Sequence, residues 1–122
     1  MVAAETPERL HGRLDADDVQ VVDIRPAEAF RSGHVPGAIN LPFPEFPRRV
    51  ADVEWGEDIV VVCPKGESSL QAARMLESYE GVDADARVAN LEGGYREWEY
   101  DLERDGATDR AGTDDDVPNA PF

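Results

Sequence analysis

The chain has 122 residues, with 27 acidic against 12 basic side chains, a formal charge of −15 and one cysteine. That length suits a single domain, since domains usually run to about 100 to 150 residues. A lone cysteine excludes an internal disulfide and an all-cysteine metal site, the acid excess argues against nucleic acid, whose phosphates need clustered cations, and the longest apolar run is strand-length where a bilayer needs about 20 residues.

Thr6, Pro7 and Glu8 read as a capped helix start, because proline at the first helical position loses no needed amide; a short helix over 7–14 follows. The β-branched run Val19 to Ile24 predicts a strand, Pro26 to Arg31 a helical turn or two, and the Ser-Gly and Pro-Gly pairs around Gly33 to Gly37 a loop. Ala38 to Leu41 reads as a second short strand, after which Pro42, Pro44 and Pro47 are expected to prevent regular structure until about Arg48, with Phe43 and Phe46 as a lid on the core edge. Ile59 to Cys63 is expected to be a central strand buried on both faces. Over 69–80 the period becomes helical, with Ala72, Met75, Leu76 and Tyr79 on one face and Gly81 as terminator. Arg87 to Leu91 predicts another strand, and Tyr95, Trp98 and Leu102 mark a last helix.

Alternating strands and helices imply crossover connections, and so an α/β fold with a central, mostly parallel sheet flanked by helices on both faces. The domain is expected to occupy 1–104, followed by an acidic, disordered tail over 105–122 rich in Asp, Gly, Thr, Ala and Pro. The tail holds Asp105, Asp109, Asp114, Asp115, Asp116 and Arg110, so the domain itself keeps 22 acidic against 11 basic residues. Eleven of the twelve basic residues are Arg and Lys65 is the only Lys, a composition expected of a protein adapted to a salty cytoplasm, where ions screen a dense carboxylate surface. Met1 to Leu14 has neither a basic start nor an apolar stretch, so no signal peptide, no membrane partner and a cytoplasmic location are expected.

In an open parallel sheet, ligands sit at the carboxyl ends of the strands. The central strand ends at Cys63, and Pro64, Lys65, Gly66, Glu67, Ser68 and Ser69 lead into the next helix. Unpaired amides and the helix dipole at that point stabilise a thiolate, which predicts a lowered thiol pKa. Lys65 adds a full positive charge two residues from the sulfur, Gly66 permits a positive φ that turns its amide inward, and Ser68 with Gln71 fits a capping box. The competing reading, a buried structural cysteine ending a core strand, is weighed down by the charge and glycine of this loop.

The sequence resembles the rhodanese (sulfurtransferase) family from about Glu5 to Leu102. The resemblance rests on Val22-Asp23-Ile24-Arg25 with Glu28-Ala29-Phe30 and the run Gly33 to Pro42, on the cysteine loop, and on Leu91-Glu92-Gly93-Gly94-Tyr95 with Trp98. It implies a single rhodanese-like domain in which Cys63 accepts sulfane sulfur from a small donor such as thiosulfate or a persulfide. The Cys63 persulfide would then pass it to a thiophilic acceptor, a small thiol or a sulfur-carrier or acceptor protein, with no cofactor or metal. The amides of Lys65 to Ser69 would cradle the persulfide. Asp23 and Arg25 are expected to tie the strand end to nearby loops, His34 to bond backbone in its turn, and Gly93 and Gly94 to allow a close backbone approach.

Many active members of the family carry Arg where this chain has Ser68 and a basic residue where it has Pro64. The lost bidentate anion grip and the charge of Glu67 weaken the case for efficient use of thiosulfate more than the case for persulfide carriage. A phosphatase or arsenate reductase on the same fold would normally close its loop with the absent Arg. The alternative of a different class is a non-catalytic rhodanese-like protein-binding or regulatory domain, which often lacks the cysteine retained here.

Overall fold

A computed structural model describes residues 2–16 and 18–104. The acidic tail over 105–122 lies outside the described residues. The elements in order are β1 (Ala3–Glu5), α1 (Pro7–Arg13), β2 (Gln20–Asp23), α2 (Ala27–Ser32), β3 (Ile39–Asn40), α3 (Phe46–Arg49), β4 (Asp58–Val62), α4 (Ser68–Ser78) and β5 (Arg87–Leu91), with 3-10 turns at 14–16, 43–45, 50–52 and 94–97. The five strands form one sheet in the order β1-β5-β4-β2-β3, and every pairing is parallel.

The middle position of β4 explains its sequence. Both of its faces are covered, so Ile59, Val60, Val61 and Val62 are all fully buried, with no polar alternation. Ile59 and Val61 pack with Phe46, Ala72, Ala73 and Leu76, on the side of α3 and α4. Val60 and Val62 pack with Leu10, Phe30 and Trp98, on the side of α1 and α2. The α/β reading, with helices on both faces of a parallel sheet, is therefore what forms. Each such fully buried Val, Leu, Ile or Phe side chain contributes about 1.5–3 kcal/mol of transfer free energy, which holds the helices to the sheet.

Thr6 caps α1 as expected, its hydroxyl accepting from the Arg9 amide at 3.2 Å. Five local expectations fail. The prolines at 42–47 do not prevent helix: a 3-10 turn at Phe43–Glu45 runs into α3, because Pro44 and Pro47 lie in first turns, where a missing amide leaves no bond unmade. Phe46 is 1% exposed and belongs to the core instead of lidding it. On α4, Ala73 joins the buried face and Met75 is exposed. That helix stops at Tyr79, whose backbone is extended (φ −82°, ψ 130°), before Gly81 is reached. The last expected helix is a single 3-10 turn, Gly94–Glu97; Trp98 packs inward, but Leu102 is exposed and lies over Gly33.

β1 was not foreseen from the sequence. Ala3-Ala4-Glu5 has no β-branched residue and becomes a strand by pairing with β5, Glu5 opposite Leu91. Glu5 is fully buried and is neutralised by Arg13 at 3.0 Å and Arg87 at 2.8 Å. Both arginines also reach Asp58 at the start of β4, Arg87 at 3.3 Å.

Candidate active site

Cys63 follows the last residue of β4, at the carboxyl edge of the sheet between β5 and β2. Four residues, Pro64 to Glu67, then connect it to α4. Gly66 takes φ +88°, as the sequence suggested, and its amide donates to the Cys63 sulfur at 3.0 Å. The Ser69 amide donates to the same sulfur at 3.4 Å, and the thiol is 3.2 Å from the Ser69 hydroxyl oxygen, to which it donates.

The capping box does not form. The helix begins one residue earlier than expected, so Ser68 is its exposed first residue and no side chain caps the turn. An amide of that first turn is instead taken by the sulfur, which occupies the place of a capping side chain.

A second turn presses on this loop from the end of β5. Tyr95 and Arg96 donate their amides to the carbonyls of Cys63 and Pro64 at 2.9 and 3.0 Å. The loop carbonyls are thereby held outward and its amides inward. Gly94, at φ +59°, sits so close that a Cβ there would overlap the Cys63 carbonyl oxygen and lie 2.8 Å from the Gly66 nitrogen. Of the close backbone approach expected of Gly93 and Gly94, Gly94 makes it, whereas a Cβ at Gly93 would meet the Glu97 side chain.

Burial pushes the Cys63 thiol up, but the Ser69 hydroxyl and the amides of Ser69, Lys65 and Gly66 together outweigh it and leave the pKa below the ordinary cysteine value. Lys65 thus enters through its backbone, while its side chain is exposed. Cys63, Pro64, Lys65, Glu67 and Ser68 line a cleft of about 180 Å³. The seven residues picked from the sequence are therefore brought together: five line the cleft, and Gly66 and Ser69 contact the sulfur from behind it.

One participant had been missed. Asn90 on β5 accepts the Ser69 hydroxyl proton and donates to the Gly66 carbonyl at 3.3 Å. Its signal in the sequence was an amide placed two residues after Val88 on a strand whose other inward positions are apolar.

The remaining motif residues brace the site. Asp23 is fully buried and accepts three bonds from Arg25 at 2.8–3.1 Å, a fourth from the Arg25 amide at 2.9 Å and one from the Tyr95 hydroxyl at 2.7 Å. Arg25 also donates to the Gly33 carbonyl at 2.7 Å and stacks 3.7 Å over the Tyr95 ring. Burial, reinforced by Asp23, pushes the Tyr95 phenol far up, so it stays a donor. His34 has its Nδ1 2.9 Å from the Val35 carbonyl and stacks on Phe30 at 3.8 Å, consistent with the turn role.

A model of the rhodanese-like domain matches residues 6–101. The chain belongs to the rhodanese family. This rhodanese-like domain is 37% identical over 84 residues to a protein of Shewanella oneidensis named thiosulfate sulfurtransferase GlpE, covering 69% of this chain and 79% of that one. It is 36% identical over 99 residues to a protein of Allochromatium vinosum named sulfurtransferase, covering 80% and 89%. It is also 37% identical over 95 residues to an HTH-type transcriptional regulator of Mycobacterium tuberculosis, covering 78% of this chain but 41% of the regulator's length. Among solved structures, a rhodanese-like domain protein of Staphylococcus aureus superposes with a TM-score of 0.71 at 27% identity, covering 86% of this chain and all of that one (100%). These relatives support a sulfurtransferase-type function. Among the described residues no helix is long and apolar enough to cross a membrane.

Proposed function

We propose that this rhodanese domain moves sulfane sulfur through a persulfide on Cys63. The observation that carries the reading is the convergence of two amides and one hydroxyl on a single sulfur at the floor of a cleft. A persulfide differs from a phosphate or arsenate in needing a small cradle of donors for one negative sulfur, and no guanidinium lines this cleft. With thiosulfate as donor, the Cys63 thiolate attacks the outer sulfur, the S–S bond to the sulfonate breaks, and sulfite leaves with the bonding pair. The Cys63 persulfide anion then gives its terminal sulfur to cyanide or a thiolate, and the Cys63 thiolate returns.

The cleft favours donors and acceptors other than a dianion. Glu67 and Lys65 stand together at its mouth, so their charges offset, and Ser68 offers a hydroxyl where a bidentate cation would grip an anion. A small persulfide, or the terminal thiol of a sulfur-carrier or acceptor protein, fits this better than thiosulfate. The acid surface and its arginine-for-lysine usage further suit a salt-rich cytoplasm.

The test is mass spectrometry of reduced protein treated with thiosulfate or an organic persulfide. The expected result is a gain of one sulfur on Cys63, removed by cyanide or dithiothreitol and absent in Cys63→Ser. A reduced, alkylatable Cys63 that takes up no sulfur from either donor would leave the non-catalytic binding domain as the better reading.

A further inference from the structure

Ser69 stands between the sulfur and Asn90. Its hydroxyl oxygen receives the Cys63 thiol proton at 3.2 Å, and its own proton goes to the Asn90 carboxamide oxygen. A hydroxyl has one proton to give, so Ser69 cannot donate to Asn90 and to the sulfur together. Once the thiol is ionised, the sulfur becomes an acceptor with charge to stabilise, and Ser69 loses the donor it had. The three groups therefore have two arrangements, selected by the state of the sulfur.

We propose, resting on the sulfur-transfer reading, that Asn90 is a positioning residue acting through Ser69: its carboxamide oxygen holds the hydroxyl proton away from Cys63 in the thiol state and yields it to the sulfur when the thiolate forms. The thiol proton leaves to solvent, while the Ser69 proton stays on its oxygen and only changes acceptor. The second arm of Asn90 reaches the Gly66 carbonyl at 3.3 Å, a long bond to a loop that the Tyr95 and Arg96 amides already hold, so the arm on Ser69 carries the effect. Asn90 thus competes with the sulfur for one proton, and its loss makes the thiolate easier to form, where loss of a merely structural residue would make it harder.

The experiment is a pH titration of Cys63, read by thiolate ultraviolet absorbance and by the rate of iodoacetamide alkylation. Asn90→Ala is expected to raise the thiolate fraction about two- to tenfold at a pH below the midpoint, the worth of one hydrogen bond. Ser69→Ala is expected to lower it by a similar factor, and Asn90→Ala added to Ser69→Ala to change nothing further. Asn90→Val, a stronger strand former for β5, serves as the variant if Asn90→Ala does not fold. An unchanged or raised midpoint in the Asn90 variant, or a shift that persists without Ser69, would overturn the proposal. Midpoints that move as expected in a protein that takes up no sulfur would support the role of Asn90 and count against sulfur transfer alone.

Discussion

Cys63 is held by fixed dipoles, and this separates the two roles that a nearby lysine suggests. Because Lys65 reaches the sulfur through its amide, Lys65→Ala keeps that donor, and the thiol midpoint is expected to stay close to wild type in an alkylation titration. The exposed ammonium should matter instead for attracting an anionic donor, so KM for thiosulfate is expected to rise a few-fold with little change in kcat. A depressed thiol pKa also has a sign for rate. Sulfur uptake should climb with pH and level off below the ordinary cysteine range, since thiolate is the attacking species. Gly94 carries a different burden: Gly94→Ala combines a left-handed backbone with overlap of the Cys63 carbonyl, and about 3 kcal/mol of stability should be lost in chemical denaturation, together with sulfur uptake. Cys63, Lys65 and Gly66 were readable as a site because cysteine, a rare lysine and glycine follow one another in the chain. Asn90 was not, because it joins them across the sheet from 24 residues beyond Gly66.

At the scale of elements, β1 is tied to the domain by ion pairs as well as by its ladder. Glu5 can stay charged in the interior because Arg13 on α1 and Arg87 on β5 each bond one of its carboxylate oxygens. Glu5→Ala removes the shared acceptor and leaves Arg13 and Arg87 with Asp58 between them. A loss of about 1–3 kcal/mol is expected by urea denaturation, below the cost of stranding a fully buried charge, because both cations keep Asp58 and reach solvent. Arg87→Met in the Glu5→Ala background should recover part of it, by removing one of the two cations that then share Asp58. The segments misread from sequence are those whose structure is decided by neighbours. Ala3-Ala4-Glu5 has no strand propensity of its own, and Trp98 is buried by the sheet without a helix to carry it. By contrast β4 and β5 announced themselves, since their β-branched and apolar residues report burial directly.

For the whole molecule, a formal charge of −15 on 122 residues sets how it behaves in solution. Carboxylates crowded on one small surface repel, and ions screen them over about 10 Å at 0.1 M and about 3 Å at 1 M. The melting temperature is expected to rise as potassium chloride goes from low to molar concentration. kcat/KM for thiosulfate should rise as well, because the same field repels a dianion; a neutral donor should show much less change. A melting temperature that falls across that range would count against adaptation to salt.

The sequence by itself determined the α/β class, the central strand, the cysteine loop and the excess of acid, because each is a property of neighbouring residues or of composition. Only the tertiary structure decided what surrounds the sulfur. The Gly93–Gly94 turn that orients the loop, the Ser69 amide that the sulfur takes in place of a cap, and the Asn90 carboxamide behind Ser69 meet at Cys63 because β5 lies beside β4 in the sheet. A parallel sheet places strands distant in the chain side by side at one edge, so a site built there draws on residues that no local pattern connects.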